Sequence, residues 1–367
     1  MRKTAALYPF CSEFLPFVRH FEELQKQYTL KQLISPEGVG VVGRDAGYSC
    51  NQRDTGHLVH ATPNLEKQSW DELLVMKSIN TNITNEDEKL QKIVERTLKA
   101  GKMVSYFAES AADVSSVFSE YAKIYSEKIQ CNTEGFYIKG KDRTNEMYGE
   151  INTPVILVGG LLREADVLEV LIQLVIQLNK DGYCPAVLTQ HPLGRLFGFT
   201  SISHFFNNKS ITESDKTVAL NLFVKNLEAT VMPDVIIVEA PDAVMQFSNY
   251  DPNGFGIQSY MLRYAIPPDY FICCVPYLLG VGSFVEAISE DFKIRLGVPI
   301  SAIHVSNILI DSTDLIQTHK ISYVRVNSED VYEQLKKEKE NSKIPLYNVV
   351  ADGIYGIYES LKSGGIL

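Results

Sequence analysis

Short runs of β-branched and aromatic residues alternate with amphipathic stretches from one end of this chain to the other. Thr4–Phe10, Leu30–Ser35, Leu73–Lys77 and Met103–Phe107 read as strands, and Glu13–Gln27, Glu86–Ala100 and Asp113–Lys128 as helices. Ser12 and Asn85 stand where N-caps belong, and Gly101 suits a helix C-terminus. The polar segment Gln130–Asn152 interrupts the pattern, with mixed Asn, Thr, Gly and Lys and no sustained period. Strands then resume at Pro154–Val158, Ala186–Thr189, Val235–Glu239, Tyr270–Val275 and Ala302–Ser306, separated by helices at Val167–Lys180, Glu213–Ala229, Ile257–Ala265 and Phe284–Leu296. A strand at Ser322–Val326 and helices at Val331–Lys339 and Ile354–Lys362 complete the tail. Strands spaced by whole helices pair in parallel, because a parallel neighbour needs a crossover. The expected fold class is α/β, with two doubly wound, mainly parallel-sheet domains. Residues 1–130 form the first, 131–152 a linker and 153–367 the second.

Charge narrows the partners. Lys and Arg total 35 against 45 Asp and Glu, a formal net charge of -10. Such a chain has no general attraction for phosphate backbones or anionic lipid, so neither nucleic acid nor a membrane is an expected partner. No apolar run is long enough to span a bilayer. The basic start Met1-Arg2-Lys3 leads into a short apolar stretch broken by Pro9 and Glu13, which is not a secretory signal. A cytoplasmic protein is expected. The six cysteines include no C-x-x-C pair and the seven histidines no H-E-x-x-H, so no metal site is expected.

The start of the second domain poses a sharper question. Val155-Ile156-Leu157-Val158 runs into Gly159-Gly160, a short loop and a long apolar helix. In that context backbone N–H groups and a helix N-terminus cradle phosphate, and Gly159, Gly160 and Arg163 are the candidate cofactor-binding residues there. The loop residues Leu161 to Asp166 argue the other way, since they include neither a Lys nor a second Gly. Asp166 and Glu169 have the spacing of a capping box, which would use the helix's free N–H groups internally. Glu164 and Asp166 also set negative charge beside any polyanion. Two unit charges about 4 Å apart repel by roughly 4 kcal/mol at an effective dielectric of 20. Glu169, Gln173, Gln177 and Lys180 form the helix's one polar stripe, so the rest of it packs under other elements.

Three further places carry candidate chemistry. Glu239 ends a buried strand where ligands of open α/β sheets bind, as a catalytic or metal-water-holding carboxylate or as a cap for the turn Ala240-Pro241-Asp242. The loop Asn249–Gly256 offers Asp251 as a further cofactor-binding residue, among ordinary turn formers. Asn307 and Asp311 are spaced one residue too far apart for a guanine-reading motif. In the first domain Cys11 opens a helix, where a lowered pKa would favour thiolate. The loop bearing Asp45, Cys50, Arg53, Asp54 and His57 could bring it a base, while His20 reads as a surface or packing residue.

Several of these segments carry a family resemblance. Tyr8-Pro9-Phe10, Glu13-Phe14, Pro16, Arg19, Ser35-Pro36-Glu37-Gly38 and Gly43-Arg44-Asp45 resemble the start of a bacterial peptide maturation system protein. Leu196-Phe197-Gly198-Phe199, Gly254-Phe255-Gly256-Ile257 and Pro268-Asp269-Tyr270 extend the likeness over nearly the whole chain. That family accompanies radical-SAM peptide maturases and a carrier-protein-related partner in ribosomal natural-product (bacteriocin-type) clusters. Some of its members keep a Lys where this chain has Ala165-Asp166-Val167. The domain order is also similar to bacterial proteins with an N-terminal Rossmann-like and a C-terminal P-loop-NTPase-like domain, some of them amino-acid N-acyltransferases; here the phosphate loop would be degenerate. The resemblance implies an accessory or scaffold protein that binds a precursor peptide or its modifying enzyme, without a cofactor, alone or as a homo-oligomer. The alternative is a nucleotide- or acyl-CoA-dependent ligase or acyltransferase acting at the carboxyl edge of the second sheet.

Overall fold

The computed structural model describes residues 2–36, 40–50, 52, 54–67, 69–76, 86–108, 116–133, 148–209, 211–251, 254–340 and 342–367. Glu37, Gly38, Arg53, Asn85, Asp113 and the side chain of Cys50 lie outside the described residues. The chain divides into two units, Met1–Tyr137 with His191–Ser201, and Ile138–Gln190 with Ile202–Leu367.

Unit one contains strands β1 (Lys3–Tyr8), β2 (Tyr28–Ile34), β3 (Val59–His60), β4 (Glu72–Met76), β5 (Met103–Ala108) and β6 (Ile129–Thr133). They form one sheet in the order β3-β2-β1-β4-β5-β6, with every pair parallel. The chain reverses its direction of travel across this sheet between β1 and β4. Helices α1 (Leu15–Arg19), α2 (Phe21–Leu24), α3 (Glu86–Lys99) and α4 (Ser116–Ile124) accompany the strands. The first helical stretch is shorter and more broken than its sequence pattern. A 3-10 turn at Ser12–Phe14 precedes α1, its N-cap position is Cys11 rather than Ser12, and the helix ends by Leu24. Strand β6 prolongs the sheet past residue 130 because pairing with β5 outweighs a polar composition. Glu72 is fully buried and accepts from Lys3 Nζ, Tyr28 Oη and Ser105 Oγ across four neighbouring strands. The segment Leu196–Phe199, expected in the second domain, is counted with unit one, where Phe197 stacks on Phe17 at 4.8 Å.

The later strands are β7 (Val155–Gly160), β8 (Pro185–Thr189), β9 (Thr200–Ser201, in the segment counted with unit one), β10 (Val235–Glu239), β11 (Tyr270–Val275), β12 (Ala302–Val305), β13 (Ile308–Ile310), β14 (Tyr323–Arg325) and β15 (Leu346–Tyr347). Within unit two the order is β15-β12-β11-β7-β10-β8, again parallel throughout. Strands buried on both faces read as unbroken apolar runs, as do VILVGG, VIIVE and YFICCV here. Strands β13 and β14 form a separate antiparallel hairpin.

Helices α5 (Val167–Lys180), α6 (Ser203–Asn207), α7 (Glu213–Val231), α8 (Ile257–Ala265), α9 (Val281–Leu296), α10 (Ser312–Thr318), α11 (Ser328–Lys339), α12 (Val349–Asp352) and α13 (Tyr355–Ser363) complete the unit. Helix α5 is apolar nearly all round because it lies against β7, β8 and β10 on one side and α12 and α13 on the other. Among the described residues no helix is long and apolar enough to cross a membrane.

Glu228 of α7 fastens the entrance of unit two. Its Oε1 accepts the Asn152 and Thr153 amides and the Thr153 hydroxyl, and Lys225 pairs with Oε2. Burial works against the charge, but Lys225 and these donors hold the carboxyl down to about 2. A carboxyl depressed in the folded state adds stability above its unfolded pKa, and that stability fades as pH falls through the folded value. We expect Glu228→Gln to cost on the order of 2 kcal/mol at neutral pH. Denaturant titrations should show the gap from wild type closing between pH 4.5 and about 2.

Candidate functional site

Strand β7 brings Gly159 and Gly160 to the centre of the second sheet, between β10 and β11. Both glycines serve close packing. A Cβ on Gly159 would stand 2.7 Å from Val244 Cγ1 and 2.9 Å from Ala240 Cβ, and one on Gly160 would stand 2.5 Å from the Leu162 carbonyl oxygen. The loop after Gly160 folds back on itself, with Leu161, Leu162 and Ala165 buried. Leu161 N–H donates to Cys274 O, Ala165 N–H to Leu162 O and Asp166 N–H to Glu164 O. A phosphate loop aims such groups at its ligand. Here three of them are turned to the protein, and Arg163 is exposed to solvent.

Asp166 holds the position before the helix where a phosphate loop carries its lysine, and it departs from the expected capping box. It adopts φ 57 and ψ 24, and its side chain makes no cap hydrogen bond. The carboxylate turns inward instead and is 6% exposed. Oδ1 accepts from Arg325 Nη1 at 3.0 Å, while Arg325 also reaches Asn307 Oδ1 at 3.3 Å. Oδ2 faces His304 Nε2 at 3.7 Å. Gly160, Cys274 and His304 stand abreast on β7, β11 and β12, which is why His304 meets the loop after β7. Burial alone would push this carboxyl up; Arg325 and His304 overcome that and hold it below the ordinary aspartate range. Glu169, assigned to the polar stripe, is buried too and accepts from Gln173 Nε2 at 2.7 Å.

The other candidates in unit two go to separate duties. Glu239 is buried at the end of β10, where Oε2 accepts the Thr189 hydroxyl at 2.5 Å and the Gln190 amide at 2.8 Å. It thus ties β10 to β8. Asp242 caps α8, its carboxylate accepting the Gln258 and Ser259 amides and the Ser259 hydroxyl; burial pushes its carboxyl up despite those donors. Asp251 is buried in its own turn, with its amide on Ser248 O and its carbonyl accepting from Gln246. Asn307 Nδ2 donates to Val326 O, and Asp311 caps α10. Neither Glu239 nor Asp251 is joined to the Asp166 cluster by these bonds.

The loop carrying Asp251 also walls a groove of about 880 Å³ in unit two. Tyr148, Phe206, Phe255, Ile257, Tyr260 and Tyr264 supply most of its apolar lining. Phe255 is 50% and Tyr260 48% exposed. Lys216, at its edge, is buried and pairs with Glu213 at 3.1 Å.

In unit one Cys11 follows β1 at the point where the strand order reverses, and its thiol is half-buried. Burial, and then the nearby Glu13 carboxylate, push it well above the usual range. The helical turn it precedes is three residues long, too short to supply the dipole that lowers a thiol pKa. Asp45 organises its own loop by accepting the Gly47 and Thr55 amides. Burial drives the pKa of half-buried His57 down against the pull of Asp45.

No family model matches the chain, and no curated protein matches it. Among solved structures, a DUF1611 family protein from Anabaena variabilis aligns over 99% of this chain and 100% of its own, at TM-score 0.61 and 10% identity. The 54 kDa signal recognition particle protein of Aeropyrum pernix K1, in complex with GDP, covers 76% of this chain and 58% of its own at TM-score 0.29 and 14% identity. The first likeness shows the fold alone: two mainly parallel-sheet α/β domains.

Sequence reasoning missed Arg325 and His304. His304 had a legible signal, a lone polar residue in an apolar strand; Arg325 sits in a hairpin whose approach to the loop has no sequence signature. Because the Leu162 carbonyl rests on Gly160, Gly160→Ala should destabilise unit two by about 2 kcal/mol or more. A lowered denaturation midpoint with an unchanged slope would show it.

Proposed function

We propose that this protein is an accessory component of a peptide maturation pathway that binds a precursor peptide and presents it to a modifying enzyme. The groove of unit two carries this reading. Its half-exposed Phe255, Tyr260 and Tyr264 offer aromatic faces, with the Tyr260 and Tyr264 hydroxyls 3.1 Å apart beside them, a combination that seats peptide side chains beside a polar backbone. The chain-long likeness to peptide maturation system proteins supplies the class of partner, including a radical-SAM maturase or a carrier-protein-related protein. The inward-turned loop at Asp166 supports a binding role over triphosphate chemistry.

Co-purification with the precursor peptide and maturase tests the reading. An aromatic anchor at the centre of an interface contributes about 2 kcal/mol. Phe255→Ser with Tyr260→Ser should therefore weaken peptide capture by about 30-fold or more. Both side chains are half-exposed, so the fold should survive, and unchanged capture would remove the groove from the proposal.

One observation favours the enzymatic alternative. Strands β7 and β10 are adjacent, so Gly160 and Glu239 share the carboxyl edge of the sheet, where ligands of α/β folds bind. Thermal-shift assays with ATP, GTP and acyl-CoA, with and without Mg²⁺, separate the two readings. A ligand at about 100 times its Kd adds roughly 2.7 kcal/mol of stability, and no shift from any of the three would end the enzymatic reading.

A further inference from the structure

Arg325 and His304 converge on one point at the carboxyl edge of the second sheet, and that point is filled by the chain's own carboxylate. The guanidinium of Arg325 meets Asp166 Oδ1 at 3.0 Å. His304 is fully buried, and its Nδ1 accepts the Val349 amide at 3.1 Å. A neutral ring that accepts at Nδ1 carries its proton on Nε2, so an N–H faces Asp166 Oδ2. The 3.7 Å between them is too long for a hydrogen bond, and both atoms are buried without a hydrogen-bond partner. A guanidinium and an imidazole N–H therefore address one anion from two directions. The anion in place satisfies only the first.

The tether explains the shortfall. Asp166 reaches inward only from a left-handed backbone, at φ 57, a conformation that non-glycine residues adopt at a cost. Its amide is bonded to the Glu164 carbonyl, and Arg325 lies within 3.5 Å of that same carbonyl. The carboxylate is thus held at the end of a short, folded loop and cannot slide toward His304 unless the loop moves. A free oxyanion has no such restraint.

We propose that Arg325 and His304 form an oxyanion receptor, and that Asp166 occupies it as a built-in carboxylate that an external carboxylate or phosphoryl group displaces. Asn307, whose Oδ1 accepts from Arg325, sets the guanidinium's orientation. The proposal stands apart from the peptide groove, because no residue of the receptor lines it. It also differs from phosphate-loop binding: the donors are side chains on β12 and β14, and the loop contributes the competitor.

The test removes the competitor and supplies anions. Wild type, Asp166→Gly and the double variant Asp166→Gly with Arg325→Gln are titrated with acetate and with inorganic phosphate. Thermal stability is followed against sodium chloride at matched ionic strength. Glycine suits the left-handed backbone, so the single variant relieves strain as it opens the site. Saturable stabilisation of Asp166→Gly is expected, with an affinity at least about tenfold above wild type, since occupancy by Asp166 multiplies the apparent affinity by the open fraction. The gain should vanish in the double variant. A preference for acetate assigns a carboxylate ligand, and a preference for phosphate a phosphoryl ligand. A folded Asp166→Gly with no response beyond chloride overturns the proposal, as does a response that persists without Arg325. If Asp166→Gly does not fold, the His304 Nε2–H resonance of wild-type protein decides. Saturable movement with either anion supports displacement, and none overturns it.

Discussion

The carboxylate of Asp166 is buried at the head of the central helix of unit two, and much of the surrounding structure answers to it. An unpaired charge in such a place costs several kcal/mol. The hairpin β13–β14 meets that cost by bringing Arg325 across from a segment 159 residues away. His304, on a strand whose other residues are apolar, completes the enclosure. The loop between β7 and α5 can then turn its amides inward, with Ala165 and Asp166 bonded to the carbonyls of Leu162 and Glu164. Loop, hairpin and strand thus meet around one buried aspartate.

The same unit shows how packing assigns polar residues that look alike in sequence. Glu239 ends β10, and Asp242 and Asp251 follow it within about a dozen positions. The first joins two strands, the second caps a helix and the third sits inside a turn. The carboxylates of Glu239 and Asp242 have their donors nearby, and the donors, not the residue type, decide their duty. Exposed aromatics beside them are a different matter, because Phe255 and Tyr260 leave about half of their surface open.

The long strands and helices of unit two were legible in the sequence, whereas the short elements α6, β13, α10, β15 and α12 were not. Helix α5 spans the residues its pattern predicted, as do α8, β10 and β11. Long apolar periods report directly on burial, so these elements needed no tertiary help. The short strands β3 and β6 escaped notice because two to five residues of mixed polarity become strands only when a neighbour offers a ladder. Cys11 stands where a helix N-terminus could favour thiolate, but the element it precedes is a turn of three residues. The capping box at Asp166 and Glu169 had the right spacing but not the right backbone, since a left-handed residue aims its side chain away from the helix's amides.

By itself the sequence determined two parallel-sheet domains, the central place of Val155–Gly160 and the absence of a phosphate-binding lysine after it. Those follow from periodicity and residue identity, which are local properties. Only the tertiary structure decided where the carboxylate of Asp166 points, which cation it meets and why Gly160 has no room for a side chain. These depend on Arg325, His304 and Leu162 arriving from other elements, and no local pattern encodes such a meeting.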